Sequence, residues 1–389
     1  MEPETAKKLK IVYVTPALYM AGGVERVLTL KANYFAEQFG YDITIILTEG
    51  KDKPLFYPLS EKIKVINLNI GFEELWSCSF TKKICVYLKK QRQFKLALTD
   101  ELMHLRPDIT ISLLRREINF INEIKDGSRK VGEMHINRAN YRNFDKLQSN
   151  FVKNMFSRFW MHSLVGKLKR LDRLVVLTET DKDAWTELDN VIAIPNPLSF
   201  VPSGVSSQME KRVIVVGRYC QEKGYDLLLQ AWKIVQNACS EWQLVVFGDG
   251  DKNIYEMMID SLHIERSRCS LYGRTSHIQQ EYINSSLAIC SSRFEGFGLS
   301  IVEAMACGLP VVSFDCPWGP RSIIKDQEDG VLVENGDVNQ LAECMISLMQ
   351  DDEKRKRMAM SAVRNVQRFE ISQIAYRWKT LFDHLYNAI

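Results

Sequence analysis

Along this chain short β-branched runs alternate repeatedly with longer stretches of helical character, and few folds accommodate that pattern. Lys10-Ile-Val-Tyr-Val-Thr15 opens the series, and strand-like runs recur at 43–47, 64–68, 109–113 and 174–177. Runs that are apolar on both faces suit parallel strands covered by helices, because a parallel crossover needs a helix-length connection. A Gly22-Gly23 turn follows the first run, and 24–39 reads as a helix that stops at Gly40. A second series starts at 213–216 and continues at 243–247, 269–272, 287–290, 310–314 and 331–333. Between the two series lie Ile194-Pro-Asn-Pro197 and a run rich in serine, glycine and proline to Ser207, which reads as a linker. The expected fold is therefore α/β, with two Rossmann-like, doubly wound domains (1–197 and 208–371) facing across a cleft. A last helix, 372–389, is expected to pack back on the first domain. The length, 389 residues, agrees, since one core does not organise so long a chain. Sheets of this kind bind ligands beyond the carboxyl ends of their strands, so the loops there are where chemistry is sought.

Composition removes several classes. Hydrophobic residues at 46% and charged residues at 25% exclude a disordered chain, a collagen repeat and a disulfide scaffold. The formal charge of +3 does not support a nucleic-acid-binding protein. Nine scattered cysteines, none in a C-x-x-C pattern, read as buried thiols in a reducing compartment, and the six histidines lack zinc-type spacing. Met1 to Lys10 is polar and the apolar run after it is short, so no signal peptide is expected. No stretch reaches the roughly 20 apolar residues of a spanning helix. The expected location is cytoplasmic, with attachment to the inner face of the membrane left open.

Two segments carry the chemistry. In Arg293-Phe-Glu295-Gly-Phe-Gly298-Leu-Ser-Ile-Val-Glu303, two glutamates flank a glycine-bearing turn that runs into a predicted helix. The free N–H groups at the start of that helix, around Gly296, Phe297, Gly298 and Leu299, suit a phosphate, and carboxylates suit the paired hydroxyls of a sugar or ribose. In Val216-Gly217-Arg218-Tyr-Cys-Gln-Glu-Lys223-Gly224, two cations leave the end of the second domain's first strand, where they could neutralise a diphosphate. The competing reading of each is an ordinary solvated loop. In the first domain, Gly22-Gly23 would let backbone approach a ligand closely, and Gly132-Glu133-Met-His135-Ile-Asn137 places a histidine after a strand.

The 293–310 segment resembles the signature of glycosyltransferase family 4, retaining enzymes of the GT-B fold that use nucleotide-sugar donors. Phe314-Asp-Cys-Pro317-Trp-Gly319-Pro320 and Asp329-Gly330-Val-Leu-Val333 continue the resemblance, in the form seen in bacterial surface-polysaccharide members. The resemblance implies transfer of a hexose or N-acetylhexosamine from a nucleotide diphosphate, UDP foremost, to a glycan or lipid-linked glycan acceptor. It implies that Arg218 and Lys223 contact the donor diphosphate with the Gly296–Leu299 backbone. Glu303 would bind the ribose, Glu295 the donor sugar, and His135 the sugar from the first domain. Gly22, Gly23 and Gly217 would line the donor, and the Gly273-Arg274-Thr275 turn would hold the base. The leaving phosphate would take the acceptor's proton on the same face, which would account for retention without a dedicated protein base, and the resemblance implies no metal or other cofactor.

Other readings stay open. A nucleotide-sugar epimerase or phosphorylase of the same fold, or a binding protein without catalysis, would share much of the pattern. Asp249-Gly-Asp251 forms a D-x-D pattern that elsewhere holds a metal, although acidic glycine turns are common. Gly248-x-Gly250 lacks the rest of a dinucleotide fingerprint. Two basic stretches, 82–95 with six cations and 151–170 with five, contain no acid. Each reads equally as a face for an anionic membrane or as a solvated face with core-facing aromatics.

Overall fold

The computed structural model describes residues 8–77, 79–138 and 151–387 and divides into two compact units, 1–197 with 371–389, and 198–370.

The first unit is built on a seven-stranded, all-parallel sheet. Its strands are β1 (Lys10–Thr15), β2 (Asp42–Leu47), β3 (Lys64–Asn67), β4 (Ile109–Ser112), β5 (Arg129–Glu133), β6 (Arg173–Val176) and β7 (Val191–Ala193). They lie in the order β3-β2-β1-β4-β5-β6-β7. Helices α1 (Gly23–Gln38), α2 (Phe80–Leu105), α3 (Phe151–Leu168) and α4 (Glu179–Ala184) connect them. The β-branched runs are buried on both faces: Ile11 and Tyr13 belong to one core cluster, Val12 and Val14 to another. Strand β5 has no such run. It reads Arg-Lys-Val-Gly-Glu, and two of its buried positions are charged: Lys130, paired with Asp126, and Glu133. Gly132 is required there, because a Cβ would lie 2.8 Å from both Leu114 and Leu171 side chains.

The second unit carries β8 (Arg212–Val216), β9 (Gln243–Phe247), β10 (Cys269–Tyr272), β11 (Leu287–Cys290), β12 (Val311–Phe314) and β13 (Gly330–Val333). All are parallel, in the order β10-β9-β8-β11-β12-β13. Between and after them run α5 (Tyr225–Ala238), α6 (Asn253–Ser261), α7 (Ile278–Ile283), α8 (Leu299–Ala306), α9 (Pro320–Ile323), α10 (Val338–Gln350) and α11 (Asp352–Val366). In both sheets the strand order reverses once, between β1 and β4 and between β8 and β11, and each reversal opens a crevice at the carboxyl edge.

The final helix, α12 (Ile371–Asn387), belongs to the first unit. Trp378 and Phe382 join its core, Phe382 edge-on to Phe35 of α1, and Arg377 bonds the Ala193 carbonyl.

The serine- and glycine-rich run read as a linker is instead part of the second unit. Ser206 donates its hydroxyl to the Ser285 carbonyl and its N–H to the Cys307 carbonyl, and the Gln208 amide bonds Gly308 O at 2.7 Å. Small polar residues look flexible in a sequence, but here their polar groups satisfy buried carbonyls that the α7–β11 and α8–β12 turns leave open. The second unit consequently begins at Leu198 instead of 208. No helix among the described residues is long and apolar enough to cross a membrane.

Candidate active site

In the second unit the reversal brings together the loop after β8 and the loop after β11, which hold the two sequence segments singled out above. Lys223 Nζ lies 2.5 Å from Glu295 Oε1, although 72 residues separate them. Their side chains are 19% and 10% exposed. Burial alone would lower the Lys223 ammonium's pKa, but the Glu295 carboxylate more than offsets this and the pKa is raised. Ser292 Oγ donates to the same carboxylate oxygen at 2.7 Å. The two groups were expected to act separately on diphosphate and sugar. They instead form one ion pair.

Neighbouring contacts fix both loops. Arg293 grips Asp226, at the start of α5, through two bonds of 2.8 and 2.6 Å, and its guanidinium also reaches the Gln221 carbonyl. Gly224 sits at φ +63°, and a Cβ there would fall 2.0 Å from the Ser291 carbonyl oxygen, so only glycine allows the two loops to close. Beyond Glu295, whose backbone bridges to Trp318, the chain turns through Gly298 at φ +105° into α8. Gly296, Phe297 and Leu299 lie on this turn as expected, with Phe297 buried against Phe369. The first-turn N–H groups of a helix lack partners in the preceding turn, so this end of α8 can take an anion.

Glu303 is buried on α8, where it accepts hydrogen bonds from the Ser199 hydroxyl and from Tyr282 Oη at 3.3 Å. It thus binds hydroxyls already, both of them from the protein. Arg218 stands 73% exposed, its guanidinium 3.6 Å from Glu222, and Gly217 lies against the Tyr225 hydroxyl, which bonds its carbonyl at 2.7 Å. Arg274 is exposed on the turn after β10. Asp249 and Asp251 of the D-x-D pattern cap their own turn, accepting from Gly250 N and Asn253 N. Among the described residues no three His, Cys, Asp or Glu side chains gather as a metal site.

In the first unit, Gly22 is the N-cap and Gly23 the first residue of α1. His135 follows β5 with its side chain 6% exposed, and its Nε2 is 3.1 Å from Glu133 Oε1. Glu133 also pairs with Lys31 of α1, and both of these side chains are almost fully buried. Asp181 of α4 accepts the Arg138 N–H at 3.0 Å and so anchors the segment that follows His135. Burial is the main influence on Asp181 and pushes its carboxyl up to about 6. Sequence reasoning missed Ser199, Tyr282, Ser292, Lys31 and Asp181. Of these, only Lys31 left a trace, as a lone cation on the buried face of an amphipathic helix.

The basic stretches differ from expectation. On α2, Lys82, Lys83, Lys89 and Arg92 are exposed, as are Ile84, Leu88 and Leu96. Lys90 is not available to a membrane: it is buried, bonding the Ile70 carbonyl at 2.7 Å and pairing with Glu74. Lys95 is paired with Glu123. In the other stretch, the side chains of 151–158 lie outside the described residues; Phe159 is exposed.

Comparison with known proteins agrees with this architecture. Residues 201–364 match the family described as glycosyl transferases group 1. An uncharacterised glycosyltransferase of Haemophilus influenzae is 29% identical over 92% of this chain and 96% of its own length. A poly(ribitol-phosphate) alpha-N-acetylglucosaminyltransferase of Staphylococcus aureus is 27% identical over 66% of this chain, which spans about half (51%) of that protein. An alpha-1,4-N-acetyl-D-galactosaminyltransferase of Campylobacter jejuni, named for a PP-undecaprenol-linked saccharide, is 25% identical over 98% of this chain and 100% of its own. Among solved structures, sucrose-phosphate synthase of Thermosynechococcus elongatus superposes with a TM-score of 0.79 at 18% identity, covering 98% of this chain and 100% of that one. S. aureus TarM, in a complex with fondaparinux, alpha-GlcNAc-glycerol and UDP, superposes with 0.74 at 17% identity, covering 96% and 99%. With two Rossmann-like units and these relatives, the chain is a glycosyltransferase of the GT-B fold.

Proposed function

We propose that this glycosyltransferase belongs to family 4 and moves a hexose or N-acetylhexosamine from a UDP-sugar to a glycan acceptor, with retention and without a metal. The observation that carries the reading is the meeting of Lys223 and Glu295 at the second sheet's reversal, beside the open end of α8. An ammonium, the exposed Arg218 and helix N–H groups suit a leaving diphosphate. In this reading, donor binding draws Lys223 from Glu295 onto the phosphates and frees the carboxylate for the sugar's hydroxyls. Glu303 binds the ribose, and His135 contacts the donor sugar. The TarM complex, which contains UDP, favours a uridine donor.

The acceptor in this reading is lipid-linked and serves surface polysaccharide synthesis at the inner face of the cytoplasmic membrane. The C. jejuni relative's PP-undecaprenol substrate supports it, as does the exposed α2 face that mixes Ile84, Leu88 and Leu96 with Lys82, Lys89 and Arg92.

A thermal-shift screen tests the donor. A nucleotide sugar at a hundred times its Kd adds about 2.7 kcal/mol to the folded state. UDP-sugars are expected to raise Tm where ADP- and GDP-sugars do not. Lys223→Ala is expected to lower kcat on the selected donor by roughly 10² to 10³, the scale for losing one transition-state charge contact. Undiminished turnover in that variant would refute the diphosphate role.

A further inference from the structure

We propose that the buried Lys31–Glu133 pair is the positioning element for His135, holding the imidazole in one tautomer and one orientation. This rests on the reading in which His135 contacts the donor sugar. Lys31 is 1% exposed and Glu133 2%, and the two are in direct contact. Lys31 projects from the buried face of α1 into a core of aliphatic and aromatic side chains, its ammonium 4.3 Å from the centre of the Trp378 ring of α12. Taking two charges out of water is costly, and a well-packed apolar pair of similar volume is often as stable or more so. Stability alone therefore does not account for this pair.

Its geometry suggests what does. Glu133 is the last residue of β5, and His135 follows two residues later at the carboxyl edge of the sheet. His135 Nε2 is 3.1 Å from Glu133 Oε1, the same oxygen that meets Lys31. The second oxygen, Oε2, has no hydrogen-bond partner among the described residues, and neither does Nε2 by alignment. The two atoms are within hydrogen-bond distance without forming an aligned hydrogen bond. The charged and titratable groups facing Glu133 are Lys31 from α1, His135 from its own segment, and Tyr13 from β1, whose buried hydroxyl is also unpartnered. Lys31 keeps Glu133 ionised. Against the opposing effect of burial, the Lys31 and His135 charges hold its carboxyl down at about 2. An ionised carboxylate accepts only, so it orders Nε2–H toward itself and leaves Nδ1 as the lone-pair nitrogen.

The test uses the full chain. Lys31→Met/Glu133→Met removes both charges at similar volume, and Glu133→Gln, with one oxygen acceptor and no charge, is the second variant should the first fold poorly. ¹⁵N NMR of His135 at pH 8 is expected to show the Nε2–H tautomer in the wild type and a mixture in the paired variant. On the donor chosen by thermal shift, kcat is expected to fall about tenfold to a hundredfold with KM within about twofold, the usual scale for losing an orienting partner. Combined with His135→Ala, the same changes are expected to cost less than about twofold more, because they act through the ring. An unchanged tautomer would overturn the proposal, as would an equal loss of kcat in the His135→Ala background. Should His135→Ala itself turn over as the wild type does, the role of His135 in the reaction fails, and the NMR result still decides whether the pair orients the ring.

Discussion

Asp181 offers a sharp test of the first unit's rim. Its side chain is buried, and Oδ1 accepts the backbone N–H of Arg138, three residues beyond His135. Burial raises its carboxyl from 3.8 to about 6. A raised acid binds its proton more tightly in the folded state. Its stabilising contribution is complete below the unfolded value near 3.8 and is lost as pH rises through about 6. The difference of just over two pKa units corresponds to about 3 kcal/mol at pH 8, about 1.6 at pH 5 and about 0.5 at pH 4. Asp181→Asn keeps an oxygen for the Arg138 N–H and removes the ionisation. It should therefore stabilise the first unit by these amounts, which for a unit of about 200 residues means a Tm higher by roughly 6–12 °C at pH 8. Calorimetry of both proteins from pH 4 to pH 8 measures it. A Tm difference independent of pH would refute the reasoning, and so would destabilisation at pH 8, which would mean that the charged carboxylate has a favourable partner. Asp181→Ala separates the two functions of the side chain: it also removes the ionisation, but it leaves the Arg138 N–H unbonded and should lower kcat through the His135 segment.

Further outcomes follow from other contacts. Glu303→Ala should weaken UDP binding about tenfold or more by calorimetry, the scale of a hydrogen bond to a charged group, while Ser199→Ala, which leaves the carboxylate in place, should not weaken it. Replacing Lys82, Lys83, Lys89 and Arg92 with glutamine should abolish flotation with anionic vesicles; unchanged flotation would remove α2 from the membrane reading. Lys90→Gln should instead lower Tm and leave flotation alone, since Lys90 is tied to the Ile70 carbonyl and Glu74.

Legibility in the sequence followed burial. Strands such as β1 and β8 are apolar on both faces, and this signal survives without any tertiary information. Strand β5 carried no apolar run to mark its extent, because its buried positions include Lys130 and Glu133, which are tolerable only beside Asp126 and Lys31, residues far from it in pattern if not always in sequence. The same cause hid the true limits of the second unit: nothing in Ser206 or Gln208 announces the carbonyls of Ser285 and Gly308. Lys90 looked like its neighbours in a basic run, and only the fold turns it inward. At the site, the positions of Arg218, Lys223, Glu295 and Glu303 were legible as residues but not as partners. Spacing within a segment is visible in one dimension, whereas the Lys223–Glu295 and Ser199–Glu303 contacts each join segments separated by more than 70 residues.

Those contacts share a logic across the two units. Each sheet reverses its strand order once, and each unit holds a buried or half-buried lysine paired with a glutamate on the carboxyl side of its sheet: Lys31 with Glu133, and Lys223 with Glu295. The two pairs differ where function would require a difference. Lys31 is sealed under Trp378 and cannot reach a ligand, so its charge acts only on Glu133. Lys223 keeps about a fifth of its side chain in solvent and lies within reach of the open end of α8, so an incoming anion can compete for it. Apolar pairs would pack at either place at lower desolvation cost. They could neither present an ionised carboxylate to an imidazole nor surrender an ammonium to a diphosphate. The sealed pair therefore fits orientation and the accessible pair fits exchange, which is why conservative removal of the first should alter the ring of His135 and removal of the second should alter turnover on the donor.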